Sequence, residues 1–169
     1  MTVRNVHTRE LPASKTNLTR LIDCLASDEE CLWPNDKWPA MRFDRPLSVG
    51  AVGGHGPIGY TVEQYEPGNT IQFRFTRPTG LHGFHRFDLE EIDSNTTVLR
   101  HTIETRLSVG AMLRWYVAIR PLHDALMEDA LDRAEAFACG SPQQRRWSPW
   151  VRFLRRAMRR KRKRSRGAT

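Results

Sequence analysis

The chain has 169 residues, of which 27 are Lys or Arg and 19 are Asp or Glu, so its formal net charge at pH 7 is +8. A hydrophobic fraction of 39% is ordinary for a globular protein and argues against an intrinsically disordered chain. No run of about 18 apolar residues occurs, so the sequence predicts no membrane-spanning helix, and the first residues lack the apolar segment of a secretory signal.

The basic charge is concentrated at one end of the chain. Residues 141–169 contain 12 Lys or Arg and no acidic residue, which leaves 15 basic against 19 acidic residues, a net charge of −4, for residues 1–140. We therefore predict a folded domain over residues 1–140 and a separate basic tail over residues 141–169. A body of 140 residues can bury a core without disulfides or metals.

The cysteines indicate the compartment. Cys24, Cys31 and Cys139 are odd in number and have no C-x-x-C spacing. This pattern predicts neither a disulfide framework nor a cysteine-built zinc site, and it favours a reducing cytoplasm.

The N-terminal part is predicted to contain one strand and two short helices. Thr2–Leu11 alternates with period two and is predicted as the first strand. Apolar residues at helical spacing over Leu18–Leu25 follow an N-cap candidate at Ser14 and predict a helix of about three turns. Ser27–Glu30 has the composition of a second N-cap and first helical turn, and the helix that it predicts must be short because Trp33 is followed by proline.

Beyond Ala40 the hydrophobic period changes from helical to two and predicts five consecutive strands. Turns rich in Gly, Pro and Asn separate them, and such short links make neighbouring strands antiparallel. The predicted strands are Leu47–Gly53, Ile58–Tyr65, Thr70–Arg77, Gly83–Ile92 and Thr96–Leu107, with a further short edge strand at Arg42–Arg45.

A helical period returns at Ser108 and continues to about Ala138, where it predicts one long amphipathic helix. Pro121 predicts a kink or a turn within it, and Gly140 predicts its end. The order is one strand, two short helices, a meander of at least five strands and a long helix. This order predicts an α+β domain in which the helix covers one apolar face of the sheet.

Four stretches within this order carry a family resemblance: Trp38–Met41 (WPAM), Gly53–Ile58 (GGHGPI), Phe73–Thr76 (FRFT) and Ile119–Leu126 (IRPLHDAL). Over about Thr2–Ala138 the sequence resembles the SRPBCC superfamily, which includes START-like lipid-binding domains and polyketide cyclases. The resemblance implies a helix-grip fold: a curved antiparallel sheet wrapped around a long C-terminal helix, with a cavity between them. It also implies a hydrophobic or aromatic ligand, and cyclase or dehydratase activity in some members. Because the superfamily shares no catalytic motif, the resemblance bears on fold more than on chemistry.

The segment Gly54–Gly59 also matches the pattern G-x-G-x-x-G. A dinucleotide-binding fingerprint requires a helix after the motif and an acidic residue about 20 positions on, and neither is present here. We interpret the glycines instead as parts of a hairpin or bulge close to the mouth of the cavity.

Strand parity predicts which side chains face the cavity. His85 and His101 alternate with polar residues on the apolar, inward face of the last two strands. The two histidines should be close enough to each other to share a ligand. An inward histidine is more often a core residue with satisfied hydrogen bonds, and this alternative stays open. The predicted cavity residues are Phe73, Phe75, His85, Phe87, His101, Ile103, Trp115 and Ile119.

An imidazole on an apolar wall can orient the polar end of a ligand or transfer a proton near pH 7. His85, His101 and, on the long helix, His123 are therefore the candidate acid–base residues. A metal site built from His82, His85 and His101 is not expected, because no carboxylate shares their parity. We expect neither a metal nor a cofactor.

The tail is predicted to form a basic amphipathic helix. Aromatic and apolar residues recur at helical spacing from Trp147 to Met158, with arginines between them. This pattern favours contact with an anionic membrane surface through residues 147–166; packing on the chain's own body or on a partner chain is an alternative, and nucleic acid is less favoured. The predicted contacts are Trp147, Trp150, Arg152, Phe153, Arg155, Arg156, Arg159, Arg160, Lys161, Arg162, Lys163 and Arg164.

The sequence as a whole thus predicts a protein that binds a hydrophobic or aromatic small molecule, lipid-like or polyketide-like, in an internal cavity. The tail would place this cytoplasmic protein on the inner membrane face. The alternative is an enzyme of the polyketide cyclase or dehydratase type that uses cavity histidines as acid and base. Nothing in the sequence indicates the oligomeric state.

Overall fold

The computed structural model describes residues 2–140 and 145–166. Within these ranges, seven strands form one antiparallel sheet. The strands are β1 (Thr2–Leu11), β2 (Met41–Phe43), β3 (Val52–His55), β4 (Ile58–Glu66), β5 (Thr70–Arg77), β6 (Leu81–Asp93) and β7 (Thr96–Leu107). Their spatial order is β1-β7-β6-β5-β4-β3-β2, so β2 to β7 form a meander and β1 closes the sheet beside β7. The predicted meander is confirmed.

The predicted strand boundaries are mostly confirmed, because each strand ends at a turn that the sequence marks. β3 differs most, since it covers Val52–His55 and not Leu47–Gly53, and the predicted edge strand Arg42–Arg45 is present as Met41–Phe43. Gly50 takes a left-handed φ of +88° just before β3, and the preceding residues form bends. At the other end of β3 a hairpin pairs His55 with Ile58, as the glycines of Gly54–Gly59 predicted.

The helices of the described ranges are short at the start of the chain and long at its end. They are α1 (Lys15–Leu18), α2 (Arg20–Asp23), α3 (Val109–Arg114), a π-helical segment (Trp115–Ile119), α4 (Arg120–Cys139) and α5 (Pro149–Arg166). The first predicted helix is thus present as the two single turns α1 and α2.

The helix predicted to start at Ser27–Glu30 is wrong. The carboxylate of Glu30 accepts hydrogen bonds from the backbone N–H groups of Ala26, Leu32 and Trp33 at 2.7–2.8 Å. These bonds stabilise a turn, because the backbone N–H groups donate to a side chain and not to the carbonyl groups of a helix.

The C-terminal helical run is continuous from α3 through the π-helical segment to α4, and no separate turn interrupts it. Pro121 is the second residue of α4, and because the helical run continues through it, its missing N–H leaves the carbonyl of Val117 without a helical hydrogen-bond donor. The carbonyl of Val117, four residues before Pro121, instead accepts the indole N–H of Trp150 at 2.8 Å. Gly140 ends α4 with a left-handed φ of +76°, as predicted.

The main core lies between the sheet and the helices that cover its concave face. Leu11, Leu21, Ile71, Leu99 and Leu131 are among its members, and each is at most 1% exposed. A curved antiparallel sheet wrapped around a long C-terminal helix, with short helices after the first strand, is the helix-grip fold that was predicted. Cys24, Cys31 and Cys139 are free thiols.

One interface in this fold is polar. The inward parity of β1 places Asn5, His7 and Arg9 against one face of α4, which presents acidic residues at helical spacing. The contacts include Asn5 with Asp124, His7 with Asp124 and Glu128, and Arg9 with Glu128, Asp132 and Glu135. The acidic face of this amphipathic helix thus pairs with β1.

Candidate functional site

The concave face of the sheet and the covering helices enclose a cavity of about 250 Å³ whose wall is almost entirely apolar. Six of the predicted cavity residues line it, with β5, β6, β7, the π-helical segment and its flanks contributing. They are Phe75, His85, His101, Ile103, Trp115 and Ile119. His123 of α4, the third candidate acid–base residue, also lines it.

Phe73 and Phe87 lie behind the wall and do not line the cavity. Both are fully buried, and their rings contact the two cavity histidines. Phe73 stacks on His85 with ring centroids 4.7 Å apart, and Phe87 lies 4.5 Å from His101. Strand parity placed both phenylalanines inward correctly, and their role in the structure is to fix the orientation of the imidazoles.

Three groups of lining residues were not predicted from the sequence. The loop after α2, the β3–β4 hairpin and α5 each close part of the cavity. Their lining residues include Trp33, Trp38, Pro39, His55, Pro57, Ile58 and Met158. From the sequence, Trp33-Pro34 was interpreted as a helix breaker and Trp38-Pro39 as part of the family resemblance, although two tryptophans in a loop facing an apolar sheet are also a signal of burial.

Four side chains that line the cavity have buried nitrogen atoms without a hydrogen-bond partner among the described residues. His101 Nε2 and His85 Nδ1 are 3.4 Å apart, so the two rings share one hydrogen bond. The outer nitrogens, His85 Nε2 and His101 Nδ1, are buried without a partner among the described residues, as are Trp115 Nε1 and both ring nitrogens of His123. A buried polar atom without a partner is costly, by roughly 1–3 kcal/mol. The cavity therefore offers unused hydrogen-bonding groups to a molecule inside it.

Burial controls the charge of these imidazoles. Desolvation holds the pKa of His85 and of His101 well below the ordinary value of 6.5, and the neighbouring histidines lower both further. Desolvation also lowers the pKa of His123. These rings are therefore neutral near pH 7, and each neutral ring has one nitrogen that donates and one that accepts.

His55 of β3 and Tyr60 of β4 add two further polar side chains beside the cavity histidines. His55 Nδ1 lies 3.1 Å from the hydroxyl of Tyr60, whose ring is 4.8 Å from that of His85. Burial lowers the pKa of His55 to about 3 and raises the pKa of Tyr60 well above its ordinary value. Both groups are neutral at physiological pH.

The first part of the predicted tail packs on the body. The guanidinium carbon of Arg155 lies 3.8 Å from the ring centroid of Trp147 and 4.2 Å from that of Trp38. Asp129 of α4 accepts the indole N–H groups of Trp38 and Trp147 at 2.7 and 2.9 Å. Trp147 and Arg155 thus serve the attachment of α5 in this structure and do not face solvent, in agreement with the self-packing alternative for this part of the tail.

Other described side chains of the tail face outward. Trp150 and Phe153 are exposed and stack with ring centroids 5.4 Å apart, and Arg152, Arg156 and Arg159 are exposed around them. The further predicted contacts Arg160, Lys161, Arg162, Lys163 and Arg164 belong to α5, but their side chains lie outside the described residues. Within the described ranges, no helix is long and apolar enough to cross a membrane.

Comparison with known protein families finds no match, and neither does comparison with curated protein sequences. Solved structures do match. Norcoclaurine synthase from Thalictrum flavum superposes with a TM-score of 0.60 at 14% sequence identity, covering 78% of this chain and 92% of that one. A protein of unknown function from Enterococcus faecalis gives a TM-score of 0.59 at 15% identity, with 94% and 86% of the two chains covered.

CalU16 from Micromonospora echinospora also matches, with a TM-score of 0.53, 16% identity and coverage of 91% and 88%. These matches have the helix-grip fold in common with this chain. At such low identity, the comparisons show the fold alone. One structure of the Thalictrum enzyme holds dopamine and hydroxybenzaldehyde.

Proposed function

We propose that this protein binds a hydrophobic or aromatic small molecule that carries at least one polar group. The observation that carries the proposal is an apolar cavity in which His85, His101, His123 and Trp115 present buried nitrogen atoms without partners among the described residues. Apolar walls with a few convergent polar groups are typical of small-molecule sites. The walls favour an apolar body, and the nitrogen atoms favour a hydroxyl or carbonyl group.

The size of the cavity limits the ligand. A cavity of about 150 Å³ holds benzene in an engineered protein, and this one measures about 250 Å³. It therefore suits one substituted ring or a small bicyclic molecule in this conformation. Binding of two aromatic compounds, dopamine and hydroxybenzaldehyde, by a protein with the same fold supports this class of ligand.

Two experiments test the proposal. Native mass spectrometry of the purified chain detects a ligand that co-purifies, and calorimetric titration with hydroxybenzaldehyde and dopamine tests aromatic probes directly. Ala118 lines the cavity, so A118F should fill it and weaken probe binding at least about tenfold by steric exclusion. Leu113 is 71% exposed on the same helical run, so L113F is a matched control. An empty protein that binds neither probe, or equal affinities for A118F and the unmodified chain, would contradict the proposal.

An enzyme of the cyclase or dehydratase type is the second candidate. The pair formed by His85 and His101 supports it, because one neutral imidazole can take a proton from a bound carbonyl compound while the other donates one. Acetophenone in D₂O provides a simple probe, since removal of its α-proton leads to deuterium uptake visible by NMR. Uptake that depends on His101, and is lost in H101Q but not in H82Q, would support catalysis. Uptake no faster than in buffer would remove this support.

We further propose that the protein binds anionic membrane surfaces through an exposed apolar patch with a basic rim. The patch joins Leu113, Tyr116 and Val117, which share one helical face, to Trp150 and Phe153 of α5. Exposed arginines of α5 surround it, and anionic lipid is the partner whose charge and apolar interior complement both features.

Vesicle flotation tests this contact. The variant R152E/R156E/R159E should float much less than the unmodified chain with vesicles that contain phosphatidylserine, because each arginine near the surface contributes about 1 kcal/mol. The variant R4E/R42E/R106E changes the charge equally on exposed arginines of the body and serves as the control. Equal flotation of both variants would contradict the proposed surface.

A further inference from the structure

A second cluster of titratable side chains lies beside the cavity, at the polar interface between β1 and α4. His7 Nε2 is 3.1 Å from Asp124 Oδ1, and His123 Nδ1 is 3.8 Å from the same oxygen. One ligand atom from each of these three residues lies within 4.8 Å of the other two. Three donors at this spacing can surround a single cation after small side-chain adjustments.

The donor set matches a particular class of ion. Two imidazole nitrogens and one carboxylate oxygen suit Zn²⁺ and related divalent transition metals, whereas Mg²⁺ and Ca²⁺ prefer oxygen ligands alone. The set also contains only three protein ligands. Three protein ligands leave a coordination position for water or for another molecule.

The surroundings of His7 and Asp124 orient both groups toward one point. His7 Nδ1 lies 3.3 Å from Glu128 Oε1, so that N–H can donate to Glu128 and leave the lone pair of Nε2 facing Asp124. A carboxylate that fixes the opposite nitrogen is the usual outer partner of a metal-binding histidine. Asn5 donates to Asp124 Oδ1 at 3.0 Å and fixes the carboxylate in the same way.

His123 supplies an independent observation. Both of its ring nitrogens are buried without a hydrogen-bond partner among the described residues, although the ring is close to a carboxylate. Its ring centroid lies 5.6 Å from that of His7 and 5.0 Å from that of His101. The His123 ring therefore belongs to the cluster and also lines the cavity.

We propose that His7, His123 and Asp124 form a binding site for a divalent transition metal of the zinc type, with Glu128 as the positioning residue that orients His7. The site is distinct from the cavity pair His85 and His101, and it holds its ion at the wall of the cavity. An ion there uses a nitrogen of His123 that otherwise has no partner.

Metal titration of the full chain tests the site. Co²⁺ should bind with one ion per chain and give the visible absorption of a cobalt ion with nitrogen and oxygen ligands, and Zn²⁺ should displace it. H7Q, H123Q and D124N each remove a ligand and should abolish this absorption. E128Q should weaken binding about 10- to 100-fold, as the loss of an outer partner does. H82Q removes an exposed histidine outside the cluster and should leave binding unchanged.

A measurement on the unmodified chain covers the case in which the variants do not fold. Electron paramagnetic resonance of bound Cu²⁺ should show magnetic coupling to the nitrogens of two imidazoles. Absence of stoichiometric Co²⁺ binding, coupling to fewer than two imidazoles, or full affinity in folded H7Q and D124N would overturn the proposal. Loss of binding in H82Q would do the same, because it would indicate adventitious surface binding.

Discussion

Asp129 illustrates how single residues connect the parts of this molecule. It is a buried carboxylate on α4, only 3% exposed, which accepts hydrogen bonds from Lys37 at 2.9 Å, Trp38 at 2.7 Å and Trp147 at 2.9 Å. Lys37 and Trp38 belong to the loop that closes the cavity, and Trp147 precedes α5. One charge on the central helix therefore holds both elements against the body.

Replacement of Asp129 by asparagine should lower the free energy of unfolding by about 2 kcal/mol, because the ammonium group then faces an amide without a charge. The measurement is the urea midpoint at constant m-value. D28N changes an exposed aspartate and should shift stability by no more than about 0.5 kcal/mol. Similar midpoints for D129N and D28N would show that the three bonds add no net stability.

His85 links cavity chemistry to the pH dependence of stability. The ring is 3% exposed and packs against Tyr60, Phe73, Phe75 and His101, and desolvation lowers its pKa well below 6.5. In the unfolded chain this imidazole takes up a proton near pH 6.5, whereas in the folded chain it stays neutral. The unfolded state therefore binds more protons below that pH, and the stability contributed above pH 6.5 is lost as the pH falls.

We expect the free energy of unfolding to decrease below pH 6.5, with His85 contributing up to about 1.4 kcal/mol per pH unit. H85Q should reduce this slope even if it changes the stability at neutral pH. Denaturant titrations at several values between pH 7.5 and pH 5 measure the slope, with H82Q as the control. An unchanged slope in H85Q would show that His85 does not carry the acid sensitivity.

A glycine in β6 lies where two strands of the sheet approach each other closely. A Cβ atom added at Gly83 would lie 2.0 Å from the carbonyl oxygen of Glu104 and 2.5 Å from the Cα of Thr105, both on the backbone of β7. The two strands approach each other more closely there than a side chain allows. Gly83 is two residues before His85, so this close approach helps to place the cavity histidines.

G83A should destabilise the protein by about 3 kcal/mol, because the overlap is with backbone atoms that cannot rotate away. G110A is the matched change: Gly110 is in α3, has no atom within 4 Å of an added Cβ, and should be neutral or stabilising by up to about 1 kcal/mol. Thermal unfolding followed by circular dichroism compares the two. A loss in G110A as large as that in G83A would contradict this account of the close approach at Gly83.

Most elements of the fold follow from local sequence signals, and those that do not are fixed by long-range contacts. The meander was predictable because turn residues mark each strand end, and Gly140 marks the end of α4. The turn at Ser27–Glu30 was not predictable as such, because the half-buried Glu30 carboxylate accepts hydrogen bonds from backbone groups on both sides of it. The packing of α5 was one of several alternatives, because its attachment depends on Asp129, a residue remote in sequence.

At the scale of the whole molecule, the cavity likewise combines features that the local sequence predicts with features that depend on long-range contacts. Alternation along a strand indicated which residues point inward, and His85 and His101 were found in this way. Alternation does not indicate whether an inward residue reaches the cavity, which is why Phe73 and Phe87 lie behind the wall. The cluster of His7 with Asp124 requires β1 to pair beside β7 and to face α4, an arrangement between elements 117 positions apart in the chain.

The basic charge of the chain is concentrated in the tail, whereas the cavity lies in the body. The tail carries 12 basic residues and the body has a net charge of −4, whereas the cavity wall is almost entirely apolar. Binding to anionic vesicles should therefore weaken steeply with salt, because the screening length falls from about 10 Å at 0.1 M to about 4 Å at 0.5 M NaCl. Affinity for hydroxybenzaldehyde should change little over the same range, since the cavity wall is almost entirely apolar. Flotation and calorimetric titration at both salt concentrations measure the two effects, and a parallel loss of both would show that vesicle contact and probe binding share one charged surface.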